Sequence, residues 1–321
     1  MKKILVTGGT GFIGSALIRG LLQNDYMVRV FDNEFRGNRR RLADVENDIE
    51  IVHGDIRDGD ALCKACKGMD VVHHLAAING TEHFYERPGL VLEVAVKGIF
   101  NVLDACKDQN VREILVASSS EVYQTPCNIP TPETERLIVP DPFNPRYSYG
   151  AGKILSELAA IHCTKDIFDR VLIYRPHNVY GPDMGWEHVI PSFIKRMKEM
   201  VISGFNGPLD FPIQGDGRQT RSFIFIDDCV NALIMLHNKG KNGSIYNVGA
   251  SDEISIRELA DLIALEFGVS LVIKPQAAKE GATLRRCPDT KKIYALGFRP
   301  NVLLKEGLKA TIDWHKNSPN Q

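Results

Sequence analysis

The strongest constraint in this sequence is the regular alternation of short apolar runs with amphipathic segments through its first half. Segments such as SALIRGLLQN and GIFNVLDACKDQ have helical periodicity and separate the apolar runs. The predicted strands are KILVTG (3–8), MVRVFD (27–32), IEIVHGD (49–55), DVVHHLA (70–76) and EILVAS (113–118), followed by RVLIYRP (170–176) and SIYNVG (244–249). This alternation predicts an α/β fold with a doubly wound parallel sheet and right-handed crossovers.

The pattern loosens after Pro176, where proline and glycine cluster around YGPDMG and QGDGRQ. Helical stretches are predicted at 189–200, 228–238, 255–267 and 302–315. We therefore predict one domain over 1–175, completed by about 222–249, and a smaller α/β domain from 176–221 and 250–321. The proline-rich segment 125–146 is predicted to be an ordered loop over a site.

The composition is that of an ordinary soluble globular protein, with 44% hydrophobic and 25% charged residues among 321. Its 39 basic and 40 acidic side chains give a net charge of −1, so no general attraction to nucleic acid is expected. No apolar run approaches the roughly 18 residues of a membrane span, and the apolar part of MKKILVTGG is too short for a signal peptide. Seven scattered cysteines favour free thiols in the cytoplasm. The isolated CxxC of Cys63 and Cys66 does not predict a metal site.

A glycine-rich turn, TGGTGFIG, joins the first predicted strand to a helix. Gly8 permits the tight turn, Gly11 lets the backbone approach a pyrophosphate, and Gly14 allows the helix to pack closely on the strand. Asp32 ends the second strand 18 residues after Gly14. A carboxylate there accepts a hydrogen bond from a ribose 2′-hydroxyl and repels a 2′-phosphate, which favours NAD over NADP.

Basic residues near the second strand leave the choice of dinucleotide partly open. Arg36, or one of the arginines at 39–41, could turn onto a 2′-phosphate, although a solvated helix face is the simpler explanation of that run. Asp55 ends the third strand, where a carboxylate can reach adenine. The complete predicted cofactor set is Gly8, Gly11, Phe12, Ile13, Gly14, Asp32, Asn33, Asp55, Ile56, Leu75, Ala76, Ala77, Tyr149 and Lys153.

Tyr149 and Lys153 lie four residues apart in YGAGK and therefore on one face of a predicted helix. An ammonium beside a phenol favours the phenolate and lowers the pKa of the phenol toward neutrality, which makes a usable general base. With Ser119 as a hydrogen-bond partner, these residues predict a proton-transfer unit that oxidises a hydroxyl to a ketone while NAD takes the hydride.

Taken together, TGGTGFIG, Asp32, Asp55, LAA, the serine-rich strand end, YSYGAGK and RPHNVYGP occur in the order typical of extended short-chain dehydrogenases/reductases. The chain resembles their nucleotide-sugar epimerase/dehydratase branch over almost its whole length. That resemblance implies a Rossmann-type domain holding NAD, a smaller domain holding a nucleoside-diphosphate sugar, with a UDP-sugar favoured, and a homodimer built on helices at 96–107 and 150–163. It also implies catalytic roles for Ser119, Tyr149 and Lys153, and substrate contacts from Asn178, Arg221 and Arg286.

Ser120 and Glu121 bear on the reaction within that branch. Sugar 4,6-dehydratases carry Asp-Glu at this point, whereas Ser-Glu is more similar to UDP-glucuronate decarboxylases. Once sugar C4 is a ketone, Glu121 could act as a second base for elimination or decarboxylation. Alternatively, it is a spectator paired to a cation, and the enzyme is a UDP-sugar 4-epimerase. A net ketone reductase and a non-catalytic NAD sensor are further alternatives, and the intact Ser119, Tyr149 and Lys153 argue against the sensor.

Overall fold

The computed structural model describes residues 1–202, 208–277, 281 and 283–317. Its strands are β1 (Lys3–Thr7), β2 (Met27–Asp32), β3 (Ile49–His53), β4 (Val71–His74), β5 (Glu113–Ala117), β6 (Arg170–Pro176), β7 (Val179–Tyr180), β8 (Leu209–Gln214), β9 (Thr220–Ser222), β10 (Ile224–Phe225), β11 (Ser244–Val248), β12 (Glu253–Ser255), β13 (Leu271–Gln276) and β14 (Arg285–Arg286). Its helices are α1 (Phe12–Gln23), α2 (Gly59–Cys66), α3 (Thr81–Glu86), α4 (Pro88–Asp108), α5 (Ser148–His162), α6 (Val189–Ile202), α7 (Ile226–Lys239), α8 (Ile256–Glu266), α9 (Lys291–Tyr294) and α10 (Leu304–Asn317). Parts of the predicted second domain, at 203–207, 278–280, 282 and 318–321, lie outside the described residues.

The predicted parallel sheet is confirmed. In the described residues it has seven strands in the order β11-β6-β5-β4-β1-β2-β3, and every neighbouring pair is parallel. The strand order reverses between β1 and β4, because the chain first moves outward to β3 and then returns to the other side of β1. In sheets of this kind ligands bind at the carboxyl ends of the strands at that reversal.

Helices cover both faces of the sheet because alternate residues of a strand point to opposite faces. In β1, Leu5 packs in the layer built with α2, α4 and α5. Ile4 and Val6 pack on the other face with α1 and α7. A third apolar cluster joins α6, α8 and α10 to β8 and β13. Among the described residues, no helix has both the length and the apolar character needed to cross a membrane. All seven cysteines are free thiols.

A buried ion pair ties strand β6 to α5 near the carboxyl edge of the sheet. Arg175 donates to the Glu157 carboxylate at 2.8 Å from Nε and 2.6 Å from Nη2, and both side chains are almost fully buried. Arg175 Nη1 also donates to the Tyr123 hydroxyl at 2.7 Å. Charges this deep in the fold are tolerated only when they are fully paired.

Arg175→Met is expected to lower the free energy of unfolding by about 3–5 kcal/mol, because it leaves the Glu157 carboxylate buried without its cation. Urea denaturation of the purified protein measures this change. Arg112→Met is the matched control, since Arg112 forms an exposed pair with Asp169 and should change stability far less. Equal losses in the two variants would contradict a stabilising role for the buried pair.

Candidate active site

A single cleft of about 410 Å³ lies along the carboxyl edge of the sheet, at the reversal between β1 and β4. It brings together nearly all of the residues that the sequence predicts for cofactor, catalysis and substrate. Those lining it are Gly8, Gly11, Phe12, Ile13, Gly14, Asp32, Asn33, Asp55, Ile56, Leu75, Ala76, Ala77, Ser119, Ser120, Glu121, Tyr149, Lys153, Asn178 and Arg286. Arg221 is the one predicted residue that does not line it.

The glycine-rich turn forms a cradle that larger residues could not build. A Cβ on Gly14 would lie 2.2 Å from the Gly8 carbonyl oxygen, and one on Gly8 would lie 2.7 Å from the Ala76 nitrogen. Gly8 also has a φ of +74°, in the left-handed region that favours glycine. Helix α1 starts directly after Gly11, and no side chain caps its first amides. The first residues of the helix line the cleft, so these amides are available to a ligand there. This geometry fits the pyrophosphate of a dinucleotide.

Carboxylates at the end of β2 and just after β3 fit the adenosine half of a dinucleotide, Asp32 its ribose and Asp55 its adenine. The Asp32 oxygens accept backbone hydrogen bonds from Thr10 at 2.9 Å and from Glu34 at 2.8 Å, which fix the carboxylate in the cleft. Asn33 Nδ2 donates to Asp55 Oδ2 at 2.9 Å. The residues at this end of the cleft therefore fit a ribose bearing a free 2′-hydroxyl.

The neighbouring arginines do not form a phosphate site of their own. Arg36 makes two hydrogen bonds of 2.7 Å to the Glu187 carboxylate. Arg40 and Arg41 pair with Asp183 at 2.7 and 3.2 Å. The run at 39–41 begins a short 3₁₀ helix on which Arg39 and Arg40 are exposed, as predicted for a solvated helix face, and its arginines also pair with carboxylates. Because these guanidinium groups are already paired, the structure favours NAD over NADP.

The predicted catalytic side chains converge from two elements. Ser119 caps the short 3₁₀ helix Ser120–Val122 that follows β5, and Tyr149 and Lys153 lie one turn apart at the start of α5. Lys153 Nζ donates to the Ala117 carbonyl at 2.6 Å and lies 5.9 Å from the centroid of the Tyr149 ring. Phe84 stacks on that ring with centroids 5.1 Å apart. The phenol is thus held against the strand end by packing on one side and by the lysine on the other.

The pKa of Tyr149 differs from the prediction. Burial raises it above its ordinary value, the charge of Glu121 adds to this, and a hydrogen bond with Ser119 acts in the opposite direction. Burial also lowers the pKa of the Lys153 ammonium to about 8, against the opposing charge of Glu157. Stacking under Phe84 helps to remove the phenol from water, which raises its pKa. This increase is larger than any decrease caused by the Lys153 ammonium, which lies 5.9 Å from the ring.

Glu121 is paired with Arg286 inside the cleft. Arg286 Nη1 donates to Glu121 Oε1 at 2.5 Å, although the two residues are 165 positions apart in the chain. Burial acts to raise the pKa of Glu121, but the charge and hydrogen bond of Arg286 outweigh it, helped by Arg146 and Arg221, so the pKa is lowered. Glu121 is therefore ionised at neutral pH, and both sequence interpretations, a second base and a carboxylate paired to a cation, fit this geometry.

Two further arginines act on Glu121 from outside the cleft lining. Arg221 is held by the backbone carbonyls of Thr220 and Thr283, each 2.7 Å from a guanidinium nitrogen. The sequence analysis missed Arg146, whose buried Nε has no hydrogen-bond partner among the described residues. Its position three residues before Tyr149, at the entry to the helix of Tyr149 and Lys153, is the signal that could have identified it.

Asn178 lines the cleft with its backbone at φ +40° and donates from Nδ2 to the Ser222 carbonyl at 2.8 Å. Other cleft residues that the sequence analysis missed come from the segments after β4 and β7, including the start of α3: Asn79, Gly80, Thr81, Phe84, Gly185 and His188. Among the described residues, no group of three or more His, Cys, Asp or Glu side chains is arranged to hold a metal ion.

Comparison with known proteins agrees with this geometry. The family model of the NAD dependent epimerase/dehydratase family matches residues 4–249. The chain belongs to this family. UDP-N-acetyl-alpha-D-glucosaminuronate decarboxylase from Bacillus cytotoxicus is 32% identical over 99% of this chain and 99% of the relative. UDP-glucose 4-epimerase from Mycolicibacterium smegmatis is 31% identical over 98% and 99%.

A solved structure has the same architecture. It is a dTDP-glucose 4,6-dehydratase from Streptomyces venezuelae with NAD bound, which has a TM-score of 0.86 and 32% identity over 98% of this chain and 97% of that one. Members of the epimerase/dehydratase family are NAD-dependent enzymes, so the predictions of family, Rossmann-type fold and NAD cofactor are confirmed.

Proposed function

We propose that this NAD-dependent enzyme decarboxylates a nucleoside-diphosphate hexuronate, with a UDP-sugar favoured, after transient oxidation at sugar C4. The observation that carries this proposal is the ionised Glu121 paired with Arg286 in the same cleft as Ser119, Tyr149 and Lys153. The cycle is redox-neutral, because the hydride removed from C4 is returned before the product leaves.

The first half-reaction is assigned to the residues at the start of α5. Tyr149 takes the proton of the C4 hydroxyl as a phenolate. Burial raises the pKa of Tyr149 and disfavours that form, and the Lys153 ammonium, charged below a pKa of about 8, opposes this effect. The hydrogen bond with Ser119 acts in the same direction. NAD supplies the acceptor for the hydride of C4 and the donor for its return. The product of this step is a C4 ketone with Tyr149 protonated.

The C4 ketone turns the hexuronate into a β-keto acid, in which the C5–C6 bond can break. The electron pair of that bond remains on C5 and is delocalised onto the C4 oxygen, where the Tyr149 hydroxyl can donate a hydrogen bond to it. Carbon dioxide leaves as a neutral molecule and needs no proton. C5 of the remaining enolate takes one proton that comes ultimately from water, after which C4 is again a ketone, the hydride returns to C4 and Tyr149 gives its proton back to the C4 oxygen. Loss of water from C6 would need an acid to protonate the departing hydroxide, and Ser120 is a poor acid. Ser120 beside Glu121 therefore favours decarboxylation over dehydration.

The charges around Glu121 support an anionic substrate. Arg146, Arg221 and Arg286 all act on this one carboxylate, so three guanidinium groups exceed one negative charge. Burial and the charge of Arg286 lower the pKa of Arg221 to about 10, which reflects the crowding of cations there. A sugar carboxylate together with a diphosphate would offset this excess. We assign substrate contacts to Asn178 and Arg286, and a supporting charge to Arg221.

A UDP-sugar 4-epimerase is the second candidate. The close pairing of Glu121 with Arg286 would equally suit a carboxylate with no role in chemistry, and a 4-epimerase is among the full-length relatives. The convergence of Ser119, Tyr149 and Lys153 in one cleft speaks against a non-catalytic sensor, which would not need them. A net ketone reductase would consume its cofactor stoichiometrically.

Incubation with UDP-, GDP- and dTDP-linked hexoses and hexuronates, followed by mass spectrometry and NMR, tests this proposal. We expect loss of carbon dioxide from a hexuronate, with UDP-glucuronate and its N-acetylated relatives as the first substrates to try, and no net consumption of NAD. An isomer of unchanged mass would make the enzyme an epimerase. Loss of water would contradict the argument from Ser120.

The predicted homodimer is also a proposal. Leu92, Phe100, Leu158 and Ile161 on α4 and α5 leave between 37% and 45% of their surface exposed. These two helices pack on each other, so their apolar residues support a shared face for a second copy. The predicted division into two domains and the cytoplasmic location likewise remain predictions.

A further inference from the structure

An ion pair at the edge of the cleft joins two loops, with Arg36 lining the cleft and Glu187 beside it. Arg36 follows β2, whereas Glu187 lies in the segment between β7 and α6. The guanidinium and carboxylate form two parallel hydrogen bonds of 2.7 Å, and each side chain is 27% exposed. Arg36 Nη1 is also 3.1 Å from His83 Nε2. We call the paired side chains of Arg36 and Glu187 the clamp.

The clamp rests on a glycine at which any side chain would push against the paired groups. Gly80 has a φ of +130°, and a Cβ there would lie 2.3 Å from Glu187 Oε2 and 3.3 Å from Arg36 Nη2. Arg36, Gly80 and Gly185 all line the cleft. Segments following β2, β4 and β7 therefore meet at the clamp. The loop that carries Arg36 also contacts the glycine-rich turn, since the Asn38 amide donates to the Thr10 carbonyl at 3.0 Å.

The arginine run provides a second attachment between the same two segments. Arg40 pairs with Asp183 at 2.7 Å, and Arg41 donates to the Asp183 carbonyl at 3.0 Å and pairs with its carboxylate at 3.2 Å. The loop 36–41 thus holds the segment 183–187 at two points. This contact positions Glu187 for Arg36.

The clamp is charged under ordinary conditions. Burial acts to raise the pKa of Glu187, but the hydrogen bond and charge of Arg36 outweigh it, with smaller contributions from His188 and His83, so the pKa is lowered. A bidentate charge-assisted pair that is partly withdrawn from water is stronger than an exposed one.

We propose that the clamp retains NAD in the cleft, so that the hydride taken in the first half of the cycle is returned to the same sugar. This inference rests on the proposed redox-neutral cycle, in which departure of the reduced cofactor would leave an oxidised sugar and an enzyme unable to finish. Arg36 and Glu187 are positioning residues here. Their contribution is to slow release of the cofactor, and they take no part in bond making.

The test measures the rate at which NADH leaves the purified protein, by loss of its fluorescence enhancement when excess NAD is added. Arg36→Met and Glu187→Gln should each release NADH about tenfold faster than the unchanged protein, since each removes a charge-assisted pair. Arg39→Met is the matched control, because Arg39 lies in the same loop but pairs with Glu46 at an exposed position outside the cleft. The control should release NADH at the original rate.

Two comparisons separate retention by the clamp from other roles of these side chains. If Arg36 acted only by binding a phosphate of the cofactor, Glu187→Gln would free the guanidinium for that phosphate, and NADH would leave more slowly. Slower release of NADH from Glu187→Gln would therefore overturn the proposal. The exchanged pair Arg36→Glu with Glu187→Arg should restore slow release relative to Arg36→Glu alone. Release from Arg36→Met and Glu187→Gln at the rate of Arg39→Met would also overturn it. Because these rates need no sugar substrate, they stand whether or not the hexuronate assay yields carbon dioxide.

Discussion

Replacing Tyr149 with phenylalanine is expected to leave NAD bound and to lower kcat by about a hundredfold to ten-thousandfold, the range typical of a lost general acid or base. The ring would still stack on Phe84, whose centroid lies 5.1 Å away, so the cleft should keep its shape. Only the phenol oxygen, which accepts the proton of the C4 hydroxyl, is removed. The measurement is product formation from UDP-glucuronate, together with the absorbance of retained cofactor.

Tyr147→Phe is the matched control, because Tyr147 is another buried tyrosine two residues earlier and does not line the cleft. It should keep most of its activity. Undiminished turnover in Tyr149→Phe would remove the phenol from the mechanism. A loss of bound NAD in that variant would instead indicate that the hydroxyl serves mainly to hold the cofactor.

Much of the fold is predictable because buried parallel strands read as apolar runs. The predicted strand 27–32 agrees with β2 at both ends, and 170–176 agrees with β6. The four helices predicted after Pro176 differ by at most two residues at each end, as where 228–238 became Ile226–Lys239. The helix predicted at 96–107 is longer, because α4 begins at Pro88. Two strands in the second half, β8 and β13, were missed, although LDFPIQ of β8 alternates buried and more exposed positions as a half-buried strand does.

The cleft was predictable where its residues end a strand or begin a helix. Gly8 follows β1, Asp32 ends β2, and Ser119 comes shortly after β5. The carboxyl ends of parallel strands meet at one edge of the sheet, so these residues were expected to lie together. Partners that come from loops were not predictable. Glu187 lies 151 residues from Arg36, and nothing in its local sequence marks it as the acceptor. The raised pKa of Tyr149 was also missed, because it depends on burial under a residue from another helix.

Arg221 and Arg286 also show that a sequence motif does not predict which side chain reaches the cleft. A resemblance to known enzymes implies substrate contacts for Arg221 and Arg286, yet only Arg286 lines the cleft. Arg221 instead donates to backbone carbonyls, and its charge reaches Glu121 through the protein. A motif therefore predicts that a cation is near the site, whereas its hydrogen bonds decide whether it can touch a ligand.

Glu121→Gln is expected to stop formation of the decarboxylated product while C4 oxidation continues. Glutamine fills nearly the same space but carries no charge, so Arg286 would lose the carboxylate that it now contacts at 2.5 Å. The guanidinium, no longer shared with Glu121, would then hold the sugar carboxylate more strongly than in the unchanged protein and stabilise it against loss of carbon dioxide. The cleft lining would also lose the Glu121 carboxylate, which could relay to C5 the proton that it takes after carbon dioxide leaves.

The expected signature is accumulation of NADH absorbance with UDP-glucuronate, together with product formation reduced by about a hundredfold or more. Glu135→Gln is the matched control, since Glu135 bonds Asn128 in the loop before α5 and does not line the cleft. Full activity in Glu121→Gln would make Glu121 a spectator paired to Arg286 and would favour 4-epimerisation. Loss of both NADH absorbance and product would place Glu121 in the first half-reaction, because a residue needed only after C4 oxidation cannot abolish that oxidation.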